Sequence, residues 1–364
     1  MIKKKIKLTA LLLGAFLSTF AGNKDRSGQA GATELLLNPY GRSSGMFGLN
    51  GSFVTGAEAL KLNMAGIAST VGTEVSLAHT RYLSGTGMNM SNLGVTHNLN
   101  GDNVIGVNVM SFGFGEIPIT QEGSVGSDIG TYKPTFINMT LGLGHKFSDN
   151  MTAGIGFTYV NEAISNIKAS AMAFDGGVQY TNGKRDNLHI GIALRNVGSN
   201  LRFSGDGFSF LGLSPDQAKD ITVQSRTEKA PLPSQLNLAT SYDFYLDEKK
   251  TMAKDKDARP SHRLSPMFSF ISNSFSSDWL GLAAEYAYKE KFMLRAGYRY
   301  ESKIFDKDEV ATLYSGVAVG VSFVTKVSSS KTGPGLAIDY GFKPTRFSAG
   351  VHTVGIRLNL SGKE

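Results

Sequence analysis

The chain has 364 residues, 43 of them Gly, no Cys, one Trp and a formal net charge of +7. Without Cys it has no disulfide framework, no thiolate metal site, no cysteine nucleophile and no lipoprotein-type lipid anchor. Its charged fraction of 18% falls below the ~25% of soluble domains, and Gly lies well above the usual ~7%, which suits many Gly-rich strands better than a cytosolic enzyme.

The first segment reads MIKKKIKLTALLLGAFLSTFAG. Lys3, Lys4, Lys5 and Lys7 form a positive region, Leu8 to Phe20 an apolar one, and Thr19 and Ala21 fit a cleavage site after Ala21. Residues 1–21 are therefore predicted to be an export signal. Thirteen apolar residues are too few to span a bilayer as a helix, and no later run of ~18 could do so. Removing four Lys and no acid takes +7 to +3, so the charge does not point to a nucleic-acid partner.

Residues 22–72 do not read as strands. They are rich in small residues and turn formers, in the string LLLNPYGRSSGMFGLNGSFVTGAEALKLNMAGIAST. From Thr73 to the C-terminus, segments of about ten residues alternate in polarity between turn residues, the pattern of a membrane β-barrel. Met151, Ala153, Ile155, Phe157 and Tyr159 share one face, against Thr152, Gly154, Gly156 and Thr158. Phe292, Leu294, Ala296, Tyr298 and Tyr300 oppose Met293, Arg295, Gly297, Arg299 and Glu301.

Alternation alone also fits a soluble sandwich. Export without Cys favours the outer membrane. So do aromatics near strand ends, such as Tyr82, Phe112, Phe114, Phe147, Phe244 and Phe342, which suit interfacial girdles. Fourteen segments are predicted: 73–83, 88–98, 103–114, 135–147, 151–164, 168–181, 187–198, 233–245, 263–272, 278–289, 291–302, 312–325, 335–343 and 347–360. The expected fold is an all-β membrane protein, a 14-stranded antiparallel transmembrane barrel over 73–364.

With both barrel ends toward the periplasm, the long connections 115–134 and 199–232 fall outside the cell, as barrels require. The charged loop 246–262 falls on the periplasmic side and reads as a solvated loop or a docking tail.

Strings that suggest catalysis lack their context. Gly41-Arg42-Ser43-Ser44-Gly45 matches G-x-S-x-G but follows Asn38-Pro39 rather than a buried strand. Ser148-Asp149-Asn150, Ser165-Asn166-Ile167-Lys168 and Lys331-Thr332-Gly333 occur in the wrong order for a penicillin-binding site. The six His show no metal-ligand spacing, and no cofactor is expected. Glu285, Arg295, Arg299 and Glu301 should point into the lumen, since charge facing lipid is costly. There they form a stiffening salt-bridge network or line a permeation path.

The order of several short motifs resembles the PorV/PorQ family of outer-membrane proteins, relatives of the FadL hydrocarbon transporters. These are the Met46-Phe47-Gly48 turn, the Val54 to Leu60 stretch and the element Asn63-Met64-Ala65-Gly66-Ile67. Others are Ala173 to Tyr180, Gly191 to Gly198 and Pro231-Leu232-Pro233. Met64 stands where the family has Pro, and Phe47 where it has Gly. The resemblance implies a FadL-like barrel with residues 22–72 as a hatch, in which Asn63, Ala65 and Gly66 form the hatch element.

It also implies a non-enzymatic role in type IX secretion. The partners would be a large translocon barrel, the C-terminal signal domains of cargo and the surface-attachment machinery. The loop 199–232, with Phe208, Phe210, Leu211 and Leu213, is the candidate cargo or partner surface, unless these side chains tuck into the barrel mouth. The alternatives are a FadL-like transporter of hydrophobic molecules and a hydrolase built on Ser43. The transporter needs an apolar pocket above the hatch and a lateral opening, for which Gly113-Phe114-Gly115 and Gly142-Leu143-Gly144 offer unpairing points. The hydrolase needs a His and a carboxylate at Ser43.

Overall fold

A computed structural model describes residues 22, 24–120, 129–214, 216, 219–247, 260–306, 310–326 and 335–360. The proposed signal 1–21, the string Lys331–Gly333 and most of the charged loop 246–262 lie outside the described residues.

Each alternating segment forms a strand. The first seven are β1 Thr73–Arg81, β2 Asn89–Asn98, β3 Asn103–Gly113, β4 Thr135–Ser148, β5 Met151–Ile164, β6 Ile167–Asn182 and β7 Leu188–Gly198. The others are β8 Gln235–Tyr242, β9 His262–Asn273, β10 Trp279–Tyr288, β11 Phe292–Glu301, β12 Val317–Lys326, β13 Gly335–Lys343 and β14 Val351–Asn359. Every strand pairs antiparallel with its sequence neighbours, and β14 pairs with β1, so the sheet closes without edges. Boundaries differ from expectation at a few ends. β12 starts at Val317 and β14 at Val351, because residues 312–316 and 344–350 form turns across the rim, bridged at Tyr314 and Thr345.

The period of two sets the two faces. Ile155, Leu282 and Leu294 are more than half exposed on the outer surface, whereas Gly154, Gly156 and Arg295 point inward. Among the described residues no helix is long and apolar enough to cross a membrane; the strands do so, with their backbone groups paired around the ring. Phe112 departs from the expected girdle. It faces inward with Met90 and Met110 and is buried at the barrel mouth, because its parity on β3 puts it on the lumen face. The candidate unpairing point Gly142-Leu143-Gly144 lies in an unbroken ladder with β3 and β5. Gly113 is paired on both sides. The wall shows no opening at either.

Residues 33–70 fill the lumen. Short helical turns at Thr33–Leu36, Gly41–Ser44, Gly56–Glu58, Ala59–Leu62 and Met64–Ser69 and the links between them carry Tyr40, Met46, Leu49, Leu60 and Ile67, all fully buried. The wall has Gly where this segment touches it. A Cβ at Gly154 would lie 2.3 Å from the Met64 carbonyl oxygen, and one at Gly177 would lie 2.0 Å from Asn63 Oδ1. The abundance of Gly is therefore in part a packing requirement: the inner face must be bare where a second layer of backbone lies on it.

Candidate functional site

Asn63 anchors the lumen segment. Its Oδ1 accepts from the Ala65 N–H at 3.1 Å, and its Nδ2 donates to Gly51 O at 2.9 Å and Val178 O at 3.3 Å. One side chain thus caps the Met64–Ser69 turn and ties it to both its own segment and β6. Gly66 is close to its own segment, since a Cβ there would lie 2.0 Å from Val54 O. Met64 in the place of Pro keeps its chain against Gly154 and Gly156.

The opposite half of the lumen is ionic. Arg263 on β9 donates Nη2 to Glu285 Oε1 at 2.9 Å, and Arg295 on β11 donates Nε to Glu285 Oε2 at 2.6 Å. Arg295 Nη1 reaches Ser322 on β12 at 2.5 Å, Ser322 donates to Asp339 on β13, and Arg357 on β14 donates Nε to Asp339 at 2.7 Å. Six consecutive strands are thus joined through their side chains as well as their backbones. The lumen segment meets this chain where Arg42 Nε lies 3.8 Å from Glu285. A carboxylate held by several guanidinium donors is well compensated in a dry interior. The predicted lumen charges Glu285 and Arg295 thus form a network, extended by Arg263, Ser322, Asp339 and Arg357. Parity on amphipathic strands is the signal that would have placed these four beside the first two.

Arg299 and Glu301 belong elsewhere, at the mouth. A cavity of about 490 Å³ lies between the lumen segment and the loops of the wide rim. Its floor includes Thr33, Glu34, Leu36, Leu37, Asn38 and Phe47, and its walls include Phe112, Phe136, Trp279 and Tyr314. Arg299 is stacked among three of these rings, 4.1 Å from the Trp279 centroid, 4.7 Å from Phe47 and 5.2 Å from Tyr314. Lys343 lies 5.5 Å from the Tyr314 ring and 6.0 Å from Phe47. Phe47 holds a left-handed backbone, φ +54°, where the resembled family has Gly. That conformation costs a residue with a Cβ roughly 1–2 kcal/mol. The aromatic face it offers to both cations is the compensation visible here.

The loop between β7 and β8 carries the other candidate surface. Ser209–Leu213 and Asp220–Gln224 pair as a two-stranded sheet that joins no other strand. Phe210 is 55%, Leu211 77% and Leu213 62% exposed, so these side chains do not tuck into the mouth. Phe208 is half-buried in the helical turn before them. A short strand, Phe203–Gly205, secures the loop to β6.

The catalytic strings gain no support. Ser43 is fully buried, its Oγ has no hydrogen-bond partner among the described residues, and its backbone N–H donates to Glu58. Asp243 accepts from both His189 and Ser265, but that order sets the acid between the other two and prepares no nucleophile. Among the described residues no cluster of His and acids could hold a metal.

A closed 14-stranded barrel with an apolar outer belt and a filled lumen defines an outer-membrane protein of the FadL-like architecture. Two solved structures share that fold. The Ralstonia pickettii toluene transporter TbuX is 12% identical, covering 90% of this chain and 99% of its own, with a TM-score of 0.52. The Pseudomonas putida toluene transporter TodX is 11% identical, covering 88% and 97%, with a TM-score of 0.52. No curated protein matches the chain. A family described as type IX secretion system membrane protein PorP/SprF matches residues 123–358, more than half of the chain. The chain belongs to that family, which makes it a type IX secretion component of the outer membrane.

Proposed function

We propose that this protein is a non-enzymatic binding component of type IX secretion. It binds the translocon or the C-terminal signal domain of cargo at the cell surface and passes cargo to surface attachment, as the PorV/PorQ resemblance implies. The observation that carries this reading is the free-standing hairpin Ser209–Leu213/Asp220–Gln224, with Phe210, Leu211 and Leu213 exposed. A two-stranded hairpin is marginally stable alone, and its unpaired edges are a template for an added strand. A β-rich signal domain supplies such a strand and covers the apolar side chains.

The transporter reading is opposed by the lumen segment, whose packing on the wall fills the barrel below the mouth cavity. The test is co-purification from outer membranes with Phe210, Leu211 and Leu213 all replaced by Ser. The expected result is an intact barrel that no longer recovers a very large barrel or a cargo signal domain. Full recovery with the triple variant overturns the assignment of the hairpin. Normal secretion of all cargo by a knockout that fails to take up a hydrophobic compound overturns the function.

A further inference from the structure

The mouth cavity holds a cation that the barrel itself leaves unpaired. Lys343, 6% exposed, lines the cavity. Among the described residues no carboxylate is paired with it; its neighbours are two rings and the like-charged Arg299. Glu301 interacts with Arg299 instead. A buried ammonium without an anion is expensive, so an anion from outside has a strong reason to bind there. Most of the rest of the lining is aromatic or aliphatic, so the body that carries the anion is apolar. The volume falls in the range of ligand sites, roughly 300–1,000 Å³.

Two further features select among apolar anions. Glu34, Glu301 and Thr312 line the same cavity and offer hydrogen-bond acceptors. A peptide brings N–H donors to them, whereas an alkyl carboxylate brings none. The cavity is also bounded by rim residues Tyr82, Leu83, Met88 and 311–314, with the lumen segment as its floor, which suits holding the end of a chain rather than passing a small molecule through.

We propose that this cavity captures the C-terminal residue of an extended polypeptide, with an apolar side chain among the rings and the terminal carboxylate on Lys343. It rests on the reading above that the partner is a polypeptide, and adds where its chain end is held. Strained Phe47 serves here as the platform beneath the two cations.

The chain's single Trp, Trp279, lines the cavity, so its emission reports occupancy directly. The full-length protein in lipid nanodiscs is titrated with an acetylated tetrapeptide ending in Phe with a free carboxylate, with the same peptide as its amide, and with dodecanoate. The expected result is a saturable emission change with the free acid binding at least tenfold tighter than the amide. Lys343→Met should erase that difference, and Lys343→Arg should retain most of it. Equal binding of acid and amide, or no saturable change, overturns the proposal. Binding of dodecanoate without the peptide overturns it too, and reassigns the cavity to an amphiphile. The hairpin triple variant should keep the peptide response, which separates failure of this site from failure of the partner-binding surface.

Discussion

Arg295 Nε and Glu285 Oε2 lie 2.6 Å apart with both side chains wholly removed from solvent. Their strands are hairpin neighbours and the two residues are directly opposed in register. The pair is the middle of a chain that extends to Arg263 on one side and Arg357 on the other.

Glu285→Gln therefore leaves Arg42, Arg263 and Arg295 without their shared anion. Breaking a buried ion pair from one side costs about 3–5 kcal/mol. The expected outcome is a lower transition temperature in the gel-mobility assay of the heated barrel. The double variant Glu285→Gln/Arg295→Met should recover part of the loss, because it removes a stranded charge. A double variant less stable than both singles would contradict the coupling.

Gly154→Val places side-chain carbon where the Met64 carbonyl lies. Overpacking of this kind costs about 1–3 kcal/mol, and the lumen segment is the part that must move. Residues 33–70 should become accessible to protease, and channel conductance in planar bilayers should rise above that of the unmodified protein. Unchanged proteolysis would show that the segment is not seated against Gly154.

Burial lowers the pKa of Lys61 to about 8, opposed by Asp175 and Glu34 and reinforced by Arg195. The unfolded chain holds this proton up to its ordinary value near 10.5. Below pH 8 both states are protonated and the cost of the buried charge is present in full. From pH 8 to 10.5 the unfolded state binds the proton that the folded state has released, so stability rises with pH. Lys61→Met should be more stable than the parent at pH 7, with the difference shrinking toward pH 10.5. Thermal unfolding of both proteins at the two pH values measures it, and a constant difference would sink the assignment.

The hairpin substitutions Phe210→Ser, Leu211→Ser and Leu213→Ser remove exposed side chains from a sheet that pairs with no barrel strand. Barrel stability should stay within about 0.5 kcal/mol per site while partner recovery falls. A large drop in the barrel's transition temperature would mean the hairpin serves the fold rather than binding.

Strand positions, strand number and facing were legible because a period of two is local: each residue's face follows from its own segment. Glu285 beside Arg295 was nearly legible too, since adjacent hairpin strands fix their own register. The mouth cavity was not. Phe47, Trp279, Tyr314 and Lys343 come from the lumen segment and from the barrel wall and rim, and nothing in the local pattern of any one of them names the others. Gly154 and Gly177 read only as strand glycines until the segment packed on them supplied the reason.

The sequence by itself thus determined a Gly-rich 14-stranded barrel with its charges turned inward, since alternation and the cost of charge in lipid act within each strand. Only the tertiary structure decided what those inward groups meet. Contacts across more than two hundred residues bring Arg42 to Glu285, close the lumen with the chain's own N-terminal segment, and leave Lys343 at the mouth cavity without a paired carboxylate.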